Sequence, residues 1–538
     1  MKIKITTSAL LVLFTCFEFF SQTGINATLN TYKRKTPIIG FNGNAFRCTS
    51  TWTVNTWLDT VKTLNSAMFR YPGGTNANHF DWQTGYWQVA QTTPTWVANL
   101  TCTASVKADE LLIGLNACQA KALMILNFQH SNVTYQIQGL NYALSKGIAI
   151  EHIELGNEHN IPIDTQQYIP ATTYATNAKI WADSLKTHFP NSKICLVGGA
   201  STNTGSVIHG WHDSIFIKNP NIDALSFHLY MGCGNSDNLF NTKRALSIPF
   251  HSSLGVANRF LQGKFTQSVV PSNIEIWVTE YNMSEPLFGT PMQHAGTWTH
   301  GLYISALSHL LLKENKITML IDHNVTAGTE FAAVDVNSNI TSSGVAMSIL
   351  GSASKGQDST ALIDFNSQPS ITWSATTYPS LLGWKFWKNS NENAWMVNLS
   401  NTTIKVSANQ IINGSYNYDT YYGDSALVVT SYKSLNHNSG TSLDSITLPP
   451  FSISVLKNQN GTGIQEITKN KTIHIFPNPA NNTISFSEPL NNIIVYNIAG
   501  EKIVEINGQS KSLSVQDLED GIYILQSNNN SMKFIVKH

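Results

Sequence analysis

The chain has 538 residues, too many for one hydrophobic core, and 42% of them are hydrophobic, including 13 Trp. Charged residues make up only 12%, and 33 Lys and Arg balance 33 Asp and Glu, so the formal net charge is zero. With no long basic run, the composition argues against nucleic acid or an anionic membrane surface as a partner, while an Asn-, Ser- and Thr-rich polar surface suits neutral hydroxylated ligands such as sugars.

The first residues read as an export signal. Lys2 and Lys4 precede an apolar run from Ala9 to Phe20, interrupted by Glu18, and Ser21-Gln22 opens a polar stretch. A signal peptide over 1–22 is therefore expected, the run being too short to span a bilayer. No other segment is long and apolar enough to cross one, which predicts a soluble mature protein with no membrane span. Five cysteines follow: Cys48, Cys102, Cys118, Cys195 and Cys233. The number is odd and none forms a Cys-x-x-Cys pair, so no chemistry is placed on them. A Cys102–Cys118 bridge and two buried thiols both remain open.

From Pro37 short apolar runs alternate with amphipathic stretches. The runs fall at 38–46, 67–71, 122–128, 150–155, 194–197, 224–230, 274–279 and 317–321, and most are near-continuously apolar, as strands buried on both faces are. Between them Val54, Trp57, Leu58, Val61 and Leu64 share one helical stripe, as do Tyr174, Trp181, Leu185 and Phe189. Segments 106–121 and 295–313 also read as helices, the second apolar nearly all round. Eight strands alternating with helices over 37–354 predict an α/β fold, a (β/α)8 TIM barrel, in preference to an open sheet. No Gly-x-Gly-x-x-Gly turn follows the first strand, which removes the commonest ligand signature of the open sheet.

Beyond residue 354 helical periodicity gives way to short alternating runs at 384–387, 394–399, 426–432 and 451–456, and a β-sandwich is expected over 355–456. A polar linker over 457–472 leads to a small all-β unit, 473–538. Within that unit Phe476-Pro-Asn-Pro479, Ile494-Val-Tyr-Asn-Ile498, Leu518-Glu-Asp-Gly-Ile-Tyr523 and Lys533-Phe-Ile-Val-Lys537 resemble the C-terminal sorting domain of the Bacteroidetes type IX secretion system. The resemblance implies the type IX machinery as a partner and a protein secreted or held on the outer cell surface. The plain alternative is an accessory sugar-binding sandwich.

In a TIM barrel the C-terminal strand ends face the active site. The predicted ends carry Asn42 and Asn44, then Arg70-Tyr-Pro-Gly-Gly74, Asn127-Phe-Gln-His130, Asn157-Glu158, His228-Leu-Tyr230, Glu280-Tyr-Asn282 and Asp322-His-Asn324. Two carboxylates, Glu158 and Glu280, end strands four and seven. Glycoside hydrolysis needs such a pair, one protonated to assist the leaving oxygen and one ionised to attack the anomeric carbon or activate water. Arg70 is placed to keep one of them ionised.

Glu154-Leu-Gly-Asn-Glu158 and Trp277-Val-Thr-Glu-Tyr-Asn282, with Phe69-Arg-Tyr-Pro-Gly-Gly74 before them and His228-Leu-Tyr230 between, resemble the clan A retaining glycoside hydrolases. Within the clan the chain is most similar to the α-L-arabinofuranosidase-like families, which also carry a sandwich after the barrel. The resemblance implies Glu158 as general acid/base, Glu280 as nucleophile, Asn157 as a ligand of the sugar hydroxyl beside the anomeric carbon, and Arg70, His228 and Tyr230 as further site residues. The text after Arg70 and the Thr-Glu-Tyr-Asn around Glu280 depart from arabinofuranosidases, which leaves the sugar open.

Asn42, Trp82 and His323 complete the candidate substrate-binding set, each against the alternative that it is simply packed, and Trp87 and Trp96 are further stacking candidates. Glu151, Glu154 and Glu275 are weaker carboxylates, lying earlier in their strands or on the outward face. His209-Gly-Trp-His-Asp213 lacks zinc-site spacing, and Asp335-Val-Asn-Ser-Asn339 continues with Ile340 where a calcium loop needs Gly, so no metal and no cofactor is expected. The expected function is a secreted retaining glycosidase acting on a plant or algal glycan. The rival is a non-catalytic carbohydrate-binding or adhesion protein on a degenerate barrel. Endo versus exo action, and hydrolysis versus transglycosylation, are not legible in the residues.

Overall fold

The computed structural model describes residues 24–43, 51–85, 107–161, 168–199, 205–206, 208–232, 240–252, 255–256, 270–284, 294–326, 331–458, 475–498, 500–527 and 530–538. The signal-peptide segment, Asn44, Cys48, Trp87, Trp96, Cys102 and Cys233 lie outside them. Cys118 and Cys195 are buried free thiols. Two compact units divide at Gly461 and Thr462.

The first unit holds a closed barrel of eight strands, β2 (Ile38–Asn42), β3 (Met68–Tyr71), β4 (Lys121–Leu126), β5 (His152–Leu155), β6 (Lys193–Val197), β7 (Ala224–Met231), β8 (Glu275–Met283) and β9 (Ile317–Asp322). Every neighbouring pair is parallel, including β2 with β9, which closes the ring. All eight expected runs are strands, each beginning within a few residues of its apolar segment. Met68, Leu123, Cys195, Ala224, Trp277, Met319 and Ile321 pack together as the inner core of the ring. Their alternate neighbours, such as Phe69, Met124, Ile153 and Leu196, belong to the larger outer core with the helices. The interior is tight: a Cβ on Gly40 would stand 2.1 Å from the Met68 carbonyl oxygen.

Nine strands form the sandwich sheet. β1 (Ile25–Lys35), β10 (Ser359–Phe365), β13 (Leu381–Lys388), β14 (Asn391–Asn398), β15 (Ile404–Ser407), β16 (Tyr416–Tyr422), β17 (Asn436–Ser442), β18 (Ser445–Leu448) and β19 (Ser452–Asn458) run in the order β17-β16-β19-β14-β13-β10-β1-β15-β18, while β11 (Ser370–Trp373) and β12 (Thr376–Pro379) pair as a separate hairpin. Sequence reading starts this domain at 355 and leaves residues 23–36 unassigned. The structure places β1 inside the sheet, antiparallel to β10 and parallel to β15, so the sandwich is assembled from both sides of the barrel in sequence. β1 also ties the two layers together. Arg34 donates from Nη1 to the carbonyls of Leu312 (2.9 Å) and Glu314 (2.5 Å), and from Nη2 to that of Ile317, satisfying acceptors from the end of helix Trp298–Leu312 to the start of β9.

That helix explains its own composition. One side lies on the barrel and the other under the sandwich, so nearly every residue is buried and no polar stripe is required. Its free N-terminal amides are satisfied across the layer boundary, Trp298 N donating to Leu427 O (2.8 Å) and Thr299 N to Ser425 O (2.9 Å). Trp298 Nε1 donates to Phe451 O (2.6 Å) and Trp384 Nε1 to His309 Nδ1 (3.2 Å).

The second unit is a five-stranded antiparallel sheet, β20 (Ile475–Phe476), β21 (Thr483–Asn497), β22 (Lys502–Ser514), β23 (Gly521–Ser527) and β24 (Asn530–Val536). It has its own core, including Ile484, Phe486, Val495, Leu525 and Phe534.

Candidate active site

The polar residues at the C-terminal strand ends converge on Glu280. A β-bulge aims it. Phe227 pairs with Val278 but His228 pairs with Glu280, so Thr279 is an extra residue in β8. Simple alternation from Trp277 would turn Glu280 outward; the bulge brings Thr279 and Glu280 both to the interior. Glu280 Oε1 accepts from Arg70 Nη1 (2.7 Å) and Asn42 Nδ2 (3.1 Å), and Oε2 accepts from the Tyr230 hydroxyl (2.5 Å). His228 Nδ1 and His323 Nδ1 lie 3.6 and 3.4 Å from the same Oε2.

Glu158 stands opposite, after a sharp exit from β5. A Cβ on Gly156, which has φ of 81°, would lie 2.0 Å from His159 Nε2, so any other residue there would be strained and would displace that ring. Glu158 itself has φ of 55°, a left-handed conformation costing a non-glycine residue roughly 1–2 kcal/mol. Asn78 secures the turn, its Oδ1 accepting from Asn157 N and its Nδ2 donating to Asn157 O, both at 2.9 Å. Glu158 Oε1 pairs with His228 Nδ1 at 2.8 Å, and the Glu158 side chain is 23% exposed against 5% for Glu280. One carboxylate oxygen of each Glu and a nitrogen of His228 all lie within 4.8 Å of one another. The Arg70 guanidinium already occupies Glu280, so a cation entering this cluster meets a fixed positive charge.

The electrostatics separate the two carboxyls' surroundings. Burial alone would raise Glu280, but His228, His323, Arg70 and the Tyr230 hydroxyl outweigh it and hold the carboxyl well below its ordinary 4.5. Burial lowers His323 itself, against the opposing pull of the Glu280 carboxylate. His228 is raised above 6.5, because Glu280 and Glu158 overcome the opposing effects of burial and Arg70. A depressed carboxyl contributes stability that is complete above about pH 4.5 and is withdrawn as pH falls toward the folded value. The raised imidazole contributes below about pH 6.5 and is lost as pH rises through its folded value. Below about pH 4.5 the wild type is therefore expected to lose stability more steeply than Glu280→Gln, read as urea midpoints at about pH 6 and pH 3.5.

Arg70 is the hub. It is fully buried and its guanidinium reaches Glu280, Asn157 Oδ1 (Nη2, 2.9 Å) and Glu154 (Nε to Oε2, 2.6 Å). Arg70→Met would leave Glu154 buried without a counter-charge and strip Glu280 of its nearest cation. The expected cost is about 3–5 kcal/mol in urea unfolding at neutral pH.

Of the sequence-predicted residues, Glu158, Glu280, Asn157, Arg70, His228, Tyr230, Asn42 and His323 come together. Two assignments change. Trp82 is not at the site: it is 1% exposed, packed edge-on to Phe80 and against Gly139, with Nε1 donating to Ile125 O (3.0 Å). Its ring fills the gap between barrel wall and helix Val133–Ser145, where it cannot stack on a sugar. Asn42 is fully buried and its amide is taken by Glu280 and His323 Nδ1 (2.8 Å), so it holds a carboxylate rather than a ligand. Glu154, Thr279 and Asn78 belong to the network without having been selected. Glu154 carried a signal, an acid at the inward phase of an apolar strand; Asn78 carried none. Glu151 is half-buried and pairs with Lys121, and Glu275 pairs with Lys193 at the far end of β8. His212 Nε2 accepts from Gly199 N (3.0 Å), and Asp335 is consumed by the amides of Asn337 and Asn339 in its own turn, so both rejected metal patterns serve loop structure.

Residues 474–538 match the family model "Secretion system C-terminal sorting domain". No curated protein sequence matches the chain. Among solved structures it is similar to an α-L-arabinofuranosidase from Thermotoga maritima, at TM-score 0.61 and 14% identity, covering 81% of this chain and 100% of that one. A family 51 α-L-arabinofuranosidase from Bifidobacterium longum gives 0.60 and 14%, covering 80% and 99%. A 4-O-α-L-rhamnosyl-β-D-glucuronidase from Fusarium oxysporum gives 0.54 and 13%, covering 81% and 99%. At such identities the likeness is one of fold, and it spans both barrel and sandwich. The chain thus joins a barrel-and-sandwich fold shared with these glycoside hydrolases to a type IX sorting domain, and the protein is secreted or held on the outer cell surface.

Proposed function

We propose that the protein is a retaining glycoside hydrolase of the α-L-arabinofuranosidase-like kind, acting on a plant or algal polysaccharide or oligosaccharide. The observation that carries this reading is the approach of Glu158 and Glu280, whose nearest oxygens lie within 4.8 Å on one barrel mouth. Retaining enzymes set their carboxyls about 5–5.5 Å apart, whereas inverting enzymes leave about 6.5–9.5 Å for a water.

In the first step Glu280 attacks the anomeric carbon through Oε2, the oxygen that Arg70 and Asn42 leave unbonded. The glycosidic C–O bond breaks, and the leaving oxygen takes the proton of Glu158. Arg70, Asn42 and Tyr230 hold the attacking carboxylate ionised and aimed. In the second step ionised Glu158 takes a proton from water, whose oxygen attacks the same carbon, and the bond to Glu280 breaks. His228 touches both carboxylates and supplies a hydrogen bond to Glu158 Oε1 whenever its Nδ1 is protonated. Two displacements return the starting anomeric configuration.

The test is a screen of 4-nitrophenyl glycosides, α-L-arabinofuranoside first, and of plant and algal polysaccharides, with the product anomer read by NMR at early times. Retained configuration is expected. An inverted first product, or no cleavage of any glycan, overturns the reading and favours a binding protein.

A further inference from the structure

The three nitrogens of Arg70 are not used alike. Glu154 takes one edge of the guanidinium, Oε2 accepting from Nε at 2.6 Å and Oε1 from Nη2 at 3.3 Å. Glu154 is itself fixed from β8, where Thr279 Oγ1 donates to Oε1 at 3.1 Å. The remaining nitrogen, Nη1, is left to Glu280. A guanidinium is planar and rigid, so holding one edge directs the donors on the other. Both Glu154 and Arg70 are sealed from solvent, with side chains 1% and 0% exposed, so Glu154 touches no substrate. The cation is thereby shared between two buried carboxylates. In a medium of low polarisability, removing one of them hands the whole positive charge to the other.

We infer that Glu154 is a positioning residue that draws Arg70 away from full pairing with Glu280, leaving that carboxylate ionised yet reactive, and keeps Nη2 on Asn157. Its kinetic consequence rests on the hydrolase reading; its electrostatic consequence does not. A Glu280 fully paired with Arg70 is a poorer nucleophile but a better leaving group. Loss of Glu154 therefore slows formation of the glycosyl-enzyme and spares its breakdown.

His228 reports the charge balance independently of turnover. The groups facing it are Glu158 beyond β5, Glu280 on β8 and Arg70 on β3, with Tyr230 on β7 and His323 beyond β9 meeting it across the Glu280 carboxylate. Neutralising Glu154 makes this set one charge more positive. In Glu154→Gln, made in the full chain, the His228 titration followed by NMR of 13C-labelled histidine is expected to fall by about one pH unit, the resonance being assigned through His228→Gln. An unchanged His228 midpoint overturns the inference. With 4-nitrophenyl α-L-arabinofuranoside, or the aryl glycoside the wild type cleaves best, kcat/KM is expected to fall about 100-fold and any pre-steady-state burst to vanish. Equal slowing of both steps, as a loss of folded enzyme would give, also overturns it. If the wild type cleaves no glycoside, the hydrolase reading falls and the His228 titration still decides the role of Glu154. Should Glu154→Gln not fold, Thr279→Val loosens the same clamp without removing a charge. A downward His228 shift of a few tenths of a unit is then expected, and no shift overturns the inference.

Discussion

Glu280→Gln is expected to lower kcat by roughly 10⁴-fold or more while leaving the fold intact. The substitution preserves shape and volume, so the bulge in β8 and the contacts of Tyr281 with Ser308 behind it are undisturbed. What changes is the attacking atom. An amide oxygen cannot form a stable bond to the anomeric carbon, and among the described residues no other carboxylate is poised to replace it, because Glu154 lies sealed behind Arg70 and Glu158 is on the leaving-group side. Ground-state binding depends on groups that remain, so KM is expected to move far less than kcat. Steady-state kinetics on the best aryl glycoside, with urea unfolding of the same variant, make the measurement. Residual activity above about 1% of wild type, in protein free of it, would remove Glu280 from the role of nucleophile.

The sequence made the barrel legible because each strand is buried on both faces and reads as an uninterrupted apolar run, bounded by polar strand ends. The same rule concealed part of the site. Glu154 sits within such a run, and a position early in a strand suggests structure rather than chemistry; only the opposing Arg70, far away in sequence, gives it meaning. Glu280 was found as a strand end, although strict alternation from Trp277 would have turned it outward. A bulge leaves no mark in the residues themselves, since Thr279 and Glu280 would suit an unbulged strand equally well. Trp82 failed for a related reason. An aromatic in the segment after strand two reads the same whether it faces a sugar or fills a space, and Gly139, which makes room for it, lies on a helix with no sequence link to it. β1 escaped because its residues alternate with charged and polar neighbours and because its partner β10 follows the whole barrel. Long-range pairing of that kind is not encoded in any local pattern.

Glu158→Ala should be selective in a way that Glu280→Gln is not. The proton from Glu158 matters in proportion to the basicity of the leaving oxygen. For natural glycans and poor aryl leaving groups, kcat/KM is expected to fall about 10²–10⁴-fold. For a dinitrophenyl glycoside, whose oxygen departs without a proton, the first step should be nearly unaffected and the glycosyl-enzyme should accumulate, since its hydrolysis has lost the base. Azide, which needs no deprotonation and fits the volume vacated by the Glu158 side chain, should then restore turnover and yield a glycosyl azide of retained configuration. The geometry supports each part. Glu158 is the more exposed of the two carboxylates, bonded to His228 and Asn157 Nδ2 (3.4 Å) but free of Arg70, so a small anion can replace it without meeting a second buried negative charge unshielded. A uniform loss across leaving groups would point to damage to the turn at Gly156–Glu158 instead of loss of a proton donor, and azide product of inverted configuration would transfer the nucleophile's role away from Glu280.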